Sequence, residues 1–219
     1  MRRVNIFATG MTVMCLLAGC GNVGGTPAES SDETVVENSS EDAAAIFETD
    51  LSEEEQAFFT AFIQEKENYG FLLSEYDAPQ DVMIWEVLYS GAGFGEGIPE
   101  EDKALYLEKS QQEEIYTDCL KMTRQDIDSF LQRKLGVGLD EMSNPLEMVY
   151  LEETDAYYNQ AGDTNYVPFA CTGGTRQGDT YTLHFTPAAD WPEGEPDRET
   201  ILLKTGDGYR FVSNHILTK

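Results

Sequence analysis

The segment from residue 152 to residue 166 carries the densest set of side chains that could bind a ligand. Two runs of oxygen donors, residues 152–155 and 163–165, flank adjacent tyrosines, an asparagine and a turn glycine. Such donors suit calcium, two carboxylates suit a glycosidase, and tyrosines suit a protein or glycan surface. The alternative is a hairpin whose aromatic rings pack on helices and whose acids face water. We predict a binding surface of Tyr157, Tyr158, Asn159, Asp163, Asn165 and Tyr166.

Histidine and serine show no recognisable catalytic arrangement. There are two histidines. His184 alternates with Leu183 and Phe185 in a strand pattern, and His215 lies near the C-terminus. A serine hydrolase needs a nucleophile, a base and an orienting group, and the Gly-x-Ser-x-Gly elbow is absent from the sequence. We therefore expect His184 to be a polar strand residue, and we predict no catalytic residue.

The cysteines and a glycine-rich loop leave alternatives open. Cys119 and Cys171 could form a disulfide outside the cell, or both could be buried as small apolar side chains. Residues 91–97 could cradle a phosphate, but they lack the lysine of a P-loop and acidic residues follow them. The EF-hand spacing is also absent. We predict no metal site and no cofactor.

The first half of the chain has the periodicity of helices. Ser52 begins a capping-box pattern, and apolar residues at helical spacing follow it. We predict that this helix ends near Asn68, before Gly70. Residues 99–110 form a second predicted helix.

A further helix is predicted after Thr123, which can cap it, and Gly136 can close it. Residues 82–89 and 115–122 are compatible with either a helix or a strand, because their apolar runs are too short for periodicity to decide.

The second half has the composition of strands. Residues 176–179 and 205–208 are turn signals between runs rich in β-branched and aromatic residues. Pro168 restricts its run to a sheet edge. We predict an α+β domain, with N-terminal helices packed on a C-terminal antiparallel sheet. This arrangement is similar to the cystatin-like and NTF2-like folds, which host enzymes and binding proteins. The predicted strands are residues 148–158, 166–172, 180–186, 200–205 and 209–216.

The N-terminus has the pattern of an export signal. Arg2 and Arg3 precede a short apolar run that ends in Leu17-Ala18-Gly19-Cys20. This tetrapeptide resembles the lipobox of bacterial lipoproteins. The resemblance implies cleavage of residues 1–19 and lipidation of Cys20, which would hold the protein on the extracytoplasmic face of the cell membrane. An ordinary signal peptide is the alternative.

The charge of the chain is strongly acidic. It has 14 basic and 41 acidic residues and a net charge of −27. Residues 20–50 lack basic residues and sustained periodicity, so we predict an acidic disordered tether. Residues 51–219 form one predicted globular domain. The negative field repels nucleic acid, which we exclude as a partner.

Three stretches resemble an uncharacterised group of surface lipoproteins of Gram-positive gut bacteria: NYGFLLSEYDAP, VYLEETDAYYNQAGDTNY and GDGYRFVSN. The resemblance implies a location and no activity. The expected function is therefore that of a membrane-anchored domain that binds a cell-wall glycan or an envelope protein. The alternatives are a regulator or inhibitor of a cell-wall enzyme, and a hydrolase that uses a carboxylate pair such as Glu152 and Asp155.

Overall fold

The computed structural model describes residues 47–162, 167–188 and 195–217. These residues form four α-helices and nine β-strands. The helices are α1 (Glu53–Gln64), α2 (Ile84–Leu88), α3 (Glu100–Ser110) and α4 (Arg124–Lys134). The strands are β1 (Glu48–Asp50), β2 (Glu96–Gly97), β3 (Asp118–Thr123), β4 (Val149–Leu151), β5 (Ala156–Ala161), β6 (Phe169–Gln177), β7 (Thr180–Pro187), β8 (Asp197–Thr205) and β9 (Gly208–Leu217).

The strands form two antiparallel sheets instead of the single sheet that the sequence predicts. The five-stranded sheet has the order β1-β6-β7-β8-β9, and the four-stranded sheet has the order β2-β3-β5-β4. The α+β class is confirmed, and so are the two hairpins β6–β7 and β8–β9. Strand β1 belongs to residues that the sequence assigns to the tether, so the sheet begins before residue 51.

The predicted helix caps at Ser52, Thr123 and Gly136 are confirmed. The Ser52 hydroxyl accepts the backbone N–H of Glu55 (3.2 Å), and the Glu55 carboxylate accepts the N–H of Ser52 (2.9 Å). The Thr123 hydroxyl accepts the N–H of Asp126 in the first turn of α4 (3.1 Å). Gly136 follows α4 with φ +78° and donates back to the last turn. These bonds satisfy backbone groups that helix ends leave open.

Helix α1 ends at Gln64, earlier than the sequence predicts. Asn68 is fully buried, and its side-chain amide donates to the carbonyl of Phe62 (2.8 Å), which also accepts the backbone N–H of Glu65 (3.3 Å). A Cβ atom on Gly70 would lie 2.5 Å from the Cα atom of Val87. Gly70 therefore permits close packing against α2 and does not terminate α1.

The prediction that Pro168 restricts its run to a sheet edge holds for the start of strand β6. The strand begins at Phe169, so the proline precedes the ladder and its missing N–H breaks no strand pairing. Strand β1 pairs only with residues 175–177, so residues 169–171 pair with β7 alone, although β6 as a whole lies between β1 and β7. Within β6, Gly174 has φ +141° beside a register shift, and a Cβ atom there would overlap the carbonyl oxygen of Thr182.

The main core contains side chains from helices α1, α2 and α4 and from both sheets. Along β7, buried Tyr181, Leu183 and Phe185 alternate with more exposed residues, as expected for a strand with one buried face. The rings of Phe71 and Phe211 stack with centroids 4.2 Å apart. Other large, fully buried side chains are Phe59, Ile63, Leu72, Ile84, Leu88, Met122, Phe130 and Phe169.

A smaller cluster joins α3 to the four-stranded sheet. Asp102 accepts hydrogen bonds from Lys121 Nζ (2.7 Å) and the Tyr158 hydroxyl (2.8 Å), and Thr154 Oγ1 lies 2.9 Å from the Tyr158 hydroxyl. We call these four residues the Asp102 cluster. The Lys121 bond lowers the pKa of Asp102 and raises the pKa of Lys121, so both groups remain charged at neutral pH. The apolar members beside them are Tyr106, Cys119, Leu151 and Ala156.

Candidate functional site

The structure describes three of the six residues that were predicted to form a binding surface, and it does not place these three on one exposed face. Tyr157, Tyr158 and Asn159 lie within strand β5. Tyr158 is 1% exposed and belongs to the Asp102 cluster, so its assignment to a binding surface is corrected, because alternation along β5 points it at α3. Tyr157 is half-buried, and its ring packs on that of Tyr150 (centroids 4.8 Å apart). Asp163, Asn165 and Tyr166 lie outside the described residues.

The acidic run at residues 152–155 forms the β4–β5 turn. Asp155 has φ +46°, and its carboxylate accepts the hydroxyl of Tyr150 (2.6 Å). Glu152 is exposed. Neither carboxylate lines the cavities described below. In the described part of the chain, no group of three or more His, Cys, Asp or Glu side chains is placed to hold a metal ion.

The far end of β5 supports a different site through Asn159 and Gln160. The Asn159 amide donates to the carbonyl of Tyr89 (2.9 Å). The Gln160 carbonyl accepts the backbone N–H groups of Tyr116 (2.8 Å) and Thr117 (3.3 Å). These side chains therefore hold the two chain segments that enclose the start of β3.

A polar cavity of about 500 Å³ lies beside the start of β3. Its polar lining residues are Ser90, Thr117, Asp118 and Lys66. At its border, the Tyr89 hydroxyl accepts the N–H of Gly162 (3.2 Å). The remaining lining residues are Gly93, Gly95, Leu120, Ala161 and Gly162.

One wall of the polar cavity is a left-handed turn. Gly91, Ala92 and Gly93 have φ values of +81°, +45° and +85°, and the N–H of Gly95 donates to the carbonyl of Gly91 (2.8 Å). Ala92 is 2% exposed. A non-glycine residue in this region stores about 1–3 kcal/mol of strain, and such strain concentrates at functional sites. The left-handed backbone of the glycine run therefore forms this wall of the polar cavity, and Gly93 and Gly95 line it.

An apolar groove of about 490 Å³ also borders the start of β3. Its walls are formed by the half-buried side chains of Ile98, Leu107, Ile115 and Leu120. Cys119 is buried among them. Burial raises the pKa of the Cys119 thiol to about 11, so it is not a nucleophile at neutral pH. The groove is also lined by Gly97, Lys103, Glu113, Glu114, Thr117 and Asp118.

The polar cavity and the apolar groove share Thr117, Asp118 and Leu120, and we call the two together the β3 cleft. Next to these residues, Tyr116 is 68% exposed. Pockets that bind small ligands combine apolar walls with a few placed polar groups. The cleft therefore suits an elongated ligand with apolar and polar faces.

The histidines and the remaining cysteine lie away from the cleft. His184 is exposed on β7, and its Nε2 lies 3.2 Å from the carboxylate of half-buried Glu199, as expected for a polar strand residue. Cys119 and Cys171 are both unpaired and buried, which favours the second of the two alternatives left open by the sequence. Burial raises the pKa of the Cys171 thiol as well.

Sequence reasoning identified the glycine loop and the β5 stretch but missed the exposed tyrosine and the groove walls. Ile115 and Tyr116 lie in residues 115–122, which the sequence leaves compatible with a helix or a strand. The side of the element that each side chain occupies was therefore not predictable. Comparison with family models, curated proteins and solved structures finds no match to this chain. Among the described residues, no helix combines the length and apolar character that crossing a bilayer requires.

Proposed function

We propose that the chain is a lipoprotein, anchored through Cys20 on the extracytoplasmic face of the cell membrane, whose folded domain binds a cell-wall polymer. The lipobox pattern of residues 17–20 supports the anchor. Cys20 lies outside the described residues, so the anchor is a proposal from sequence.

The β3 cleft is the observation that carries the binding function. Sugar rings and peptide units have apolar faces and hydrogen-bonding edges. Leu120 lines both cavities, and the exposed ring of Tyr116, which follows Ile115 and precedes Thr117 in the chain, can add apolar contact at the rim. Asp118, Thr117 and Lys66 supply donors and acceptors. An aromatic side chain that binding would cover is typical of recognition surfaces.

Co-sedimentation with purified, insoluble cell-wall polymer tests the binding function. The full chain, purified in detergent, is offered to the polymer at low and high salt. We expect capture that survives high salt, because apolar and hydrogen-bonded contacts are screened less than exposed charges. Tyr116→Ala should weaken capture about fivefold or more, since hot-spot tyrosines contribute more than about 1 kcal/mol.

Phe47→Ala is the matched control, because Phe47 is also an exposed aromatic residue (78%) but precedes the five-stranded sheet. It should bind like the wild type. Equal capture by wild type and Tyr116→Ala would exclude the cleft. Salt-sensitive capture of one envelope protein, with no polymer bound, would instead favour the regulator of a cell-wall enzyme.

Metabolic labelling with palmitate tests the anchor. Cys20→Ala should abolish labelling and release the protein from the membrane fraction, whereas Cys15→Ala should keep both. Labelling that persists in Cys20→Ala would exclude the proposed attachment.

A further inference from the structure

The apolar groove has a charge pattern that binding to a neutral polymer does not require. Glu113, Glu114 and Asp118 line it, and all three are exposed. In the described ranges, none of the three forms an ion pair. Lys103, the cation among the lining residues, is held by Glu100 (2.5 Å). The groove therefore has carboxylates in excess of cations.

Apolar walls strengthen this pattern. Ile98, Leu107 and Ile115 carry no charge, and a low-dielectric wall focuses the field of nearby charges. The net charge of −27 adds to the attraction of cations from solution. An anionic ligand would be repelled by the rim and by the rest of the chain.

We propose that the groove binds an aliphatic ammonium group, the side chain of lysine or another diamino acid in an envelope peptide. The methylene stem contacts the walls formed by Ile98, Leu107 and Leu120, and the ammonium group meets the carboxylates of Glu113 and Glu114. A long cationic side chain combines an apolar stem with a charged head, which matches this lining. The inference rests on the same cleft as the proposed function.

The polar cavity fits the rest of such a ligand. Lys66 contributes a cation there, so a second ammonium group is disfavoured on that side. Thr117 lines this cavity and carries a hydroxyl that can bond the amides of a peptide or attached sugar hydroxyls. Asp118 and Thr117, shared by both cavities, lie where the side chain would join the rest of the ligand.

Three short peptides that differ only in the central residue test the inference. The central residue is lysine, Nε-acetyllysine or norleucine, and binding to the full chain in detergent is followed by nuclear magnetic resonance titration. Each exposed ion pair strengthens binding by up to about fivefold, and two carboxylates contribute. We expect the lysine peptide to bind at least about fivefold tighter than the other two at low salt.

An adjacent pair of glutamates elsewhere supplies a matched control. Glu113→Gln/Glu114→Gln should reduce lysine binding to the norleucine level, whereas Glu152→Gln/Glu153→Gln removes the same charge from the exposed β4–β5 turn and should leave it unchanged. Equal binding of the three peptides, or equal losses in both variants, would overturn the inference.

The polymer-binding function and the ammonium site can be refuted independently of each other. Polymer capture that depends on Tyr116, without preference for lysine, would overturn the ammonium site and keep the polymer-binding function. Preference for lysine that depends on Glu113 and Glu114, without polymer capture, would support the ammonium site and exclude the polymer.

Discussion

Replacing Asp102 by alanine should lower the free energy of unfolding by about 3 kcal/mol. Breaking a buried ion pair by removing one partner costs about 3–5 kcal/mol, because the other charge is left without compensation. The Lys121 side chain is 24% exposed, so water recovers part of that cost. Tyr158 also loses an acceptor, which costs about 1 kcal/mol. Urea unfolding followed by intrinsic fluorescence measures the change.

A double-mutant cycle separates the ion pair from packing. Asp102→Ala and Lys121→Met are measured alone and together. The double variant removes both charges, so its loss should be smaller than the sum of the single losses by about 1 kcal/mol or more. Additive losses would show that Asp102 and Lys121 do not stabilise each other. A loss below about 0.5 kcal/mol for Asp102→Ala would also refute a stabilising buried pair, since so small a loss is typical of an exposed ion pair.

The difference in unfolding free energy between wild type and Asp102→Ala should depend on pH. The pKa of Asp102 is lower in the folded than in the unfolded protein, so the unfolded protein binds more protons at acid pH. This contribution is fully present above the unfolded pKa, about 4, and is lost as the pH falls through the folded pKa. The stability gap between wild type and Asp102→Ala should therefore shrink as the pH falls below about 5. A constant gap would contradict this argument.

Two further predictions concern the core and the thiols. Gly174→Ala should destabilise the protein by about 2 kcal/mol or more, because φ +141° is strained for alanine and Thr182 leaves no room, whereas Gly173→Ala, which meets nothing within 4 Å, should be nearly neutral in the same urea titration. The thiol of Cys119, 4% exposed with its pKa raised to about 11, should react with a thiol reagent at the rate of unfolding, and fast labelling of the native protein would contradict its burial.

The features predicted correctly depend on residues close together in sequence. The caps at Ser52 and Thr123 involve a partner three residues away, so the local pattern is sufficient. The division into two sheets depends on pairings such as β3 with β5 and β1 with β6, which local composition does not encode. The position of Pro168 relative to the strand start was likewise not predictable from local composition.

In the candidate site, too, some features could be predicted from the local sequence and others depend on contacts between distant elements. The glycine run at residues 91–97 was visible in the sequence, but its left-handed turn, which the N–H of Gly95 closes by donating to the carbonyl of Gly91, was not. Tyr158 was taken as a binding residue because aromatic residues near turns often are. Its burial depends on which face of β5 meets α3, and a shift of one residue in the strand would have exposed it.

Strand β1 connects the chain before residue 47 to the five-stranded sheet, whereas the β3 cleft is built on the four-stranded sheet. In a protein held at Cys20 and pulled at the cleft, mechanical tension would enter through β1 and leave through β3. The two strands are in different sheets, so the load would cross the side chains of the main core, including Met122 of β3 and Phe169 of β6. The three residue pairs of β1 with β6 would be the first backbone contacts to carry that load.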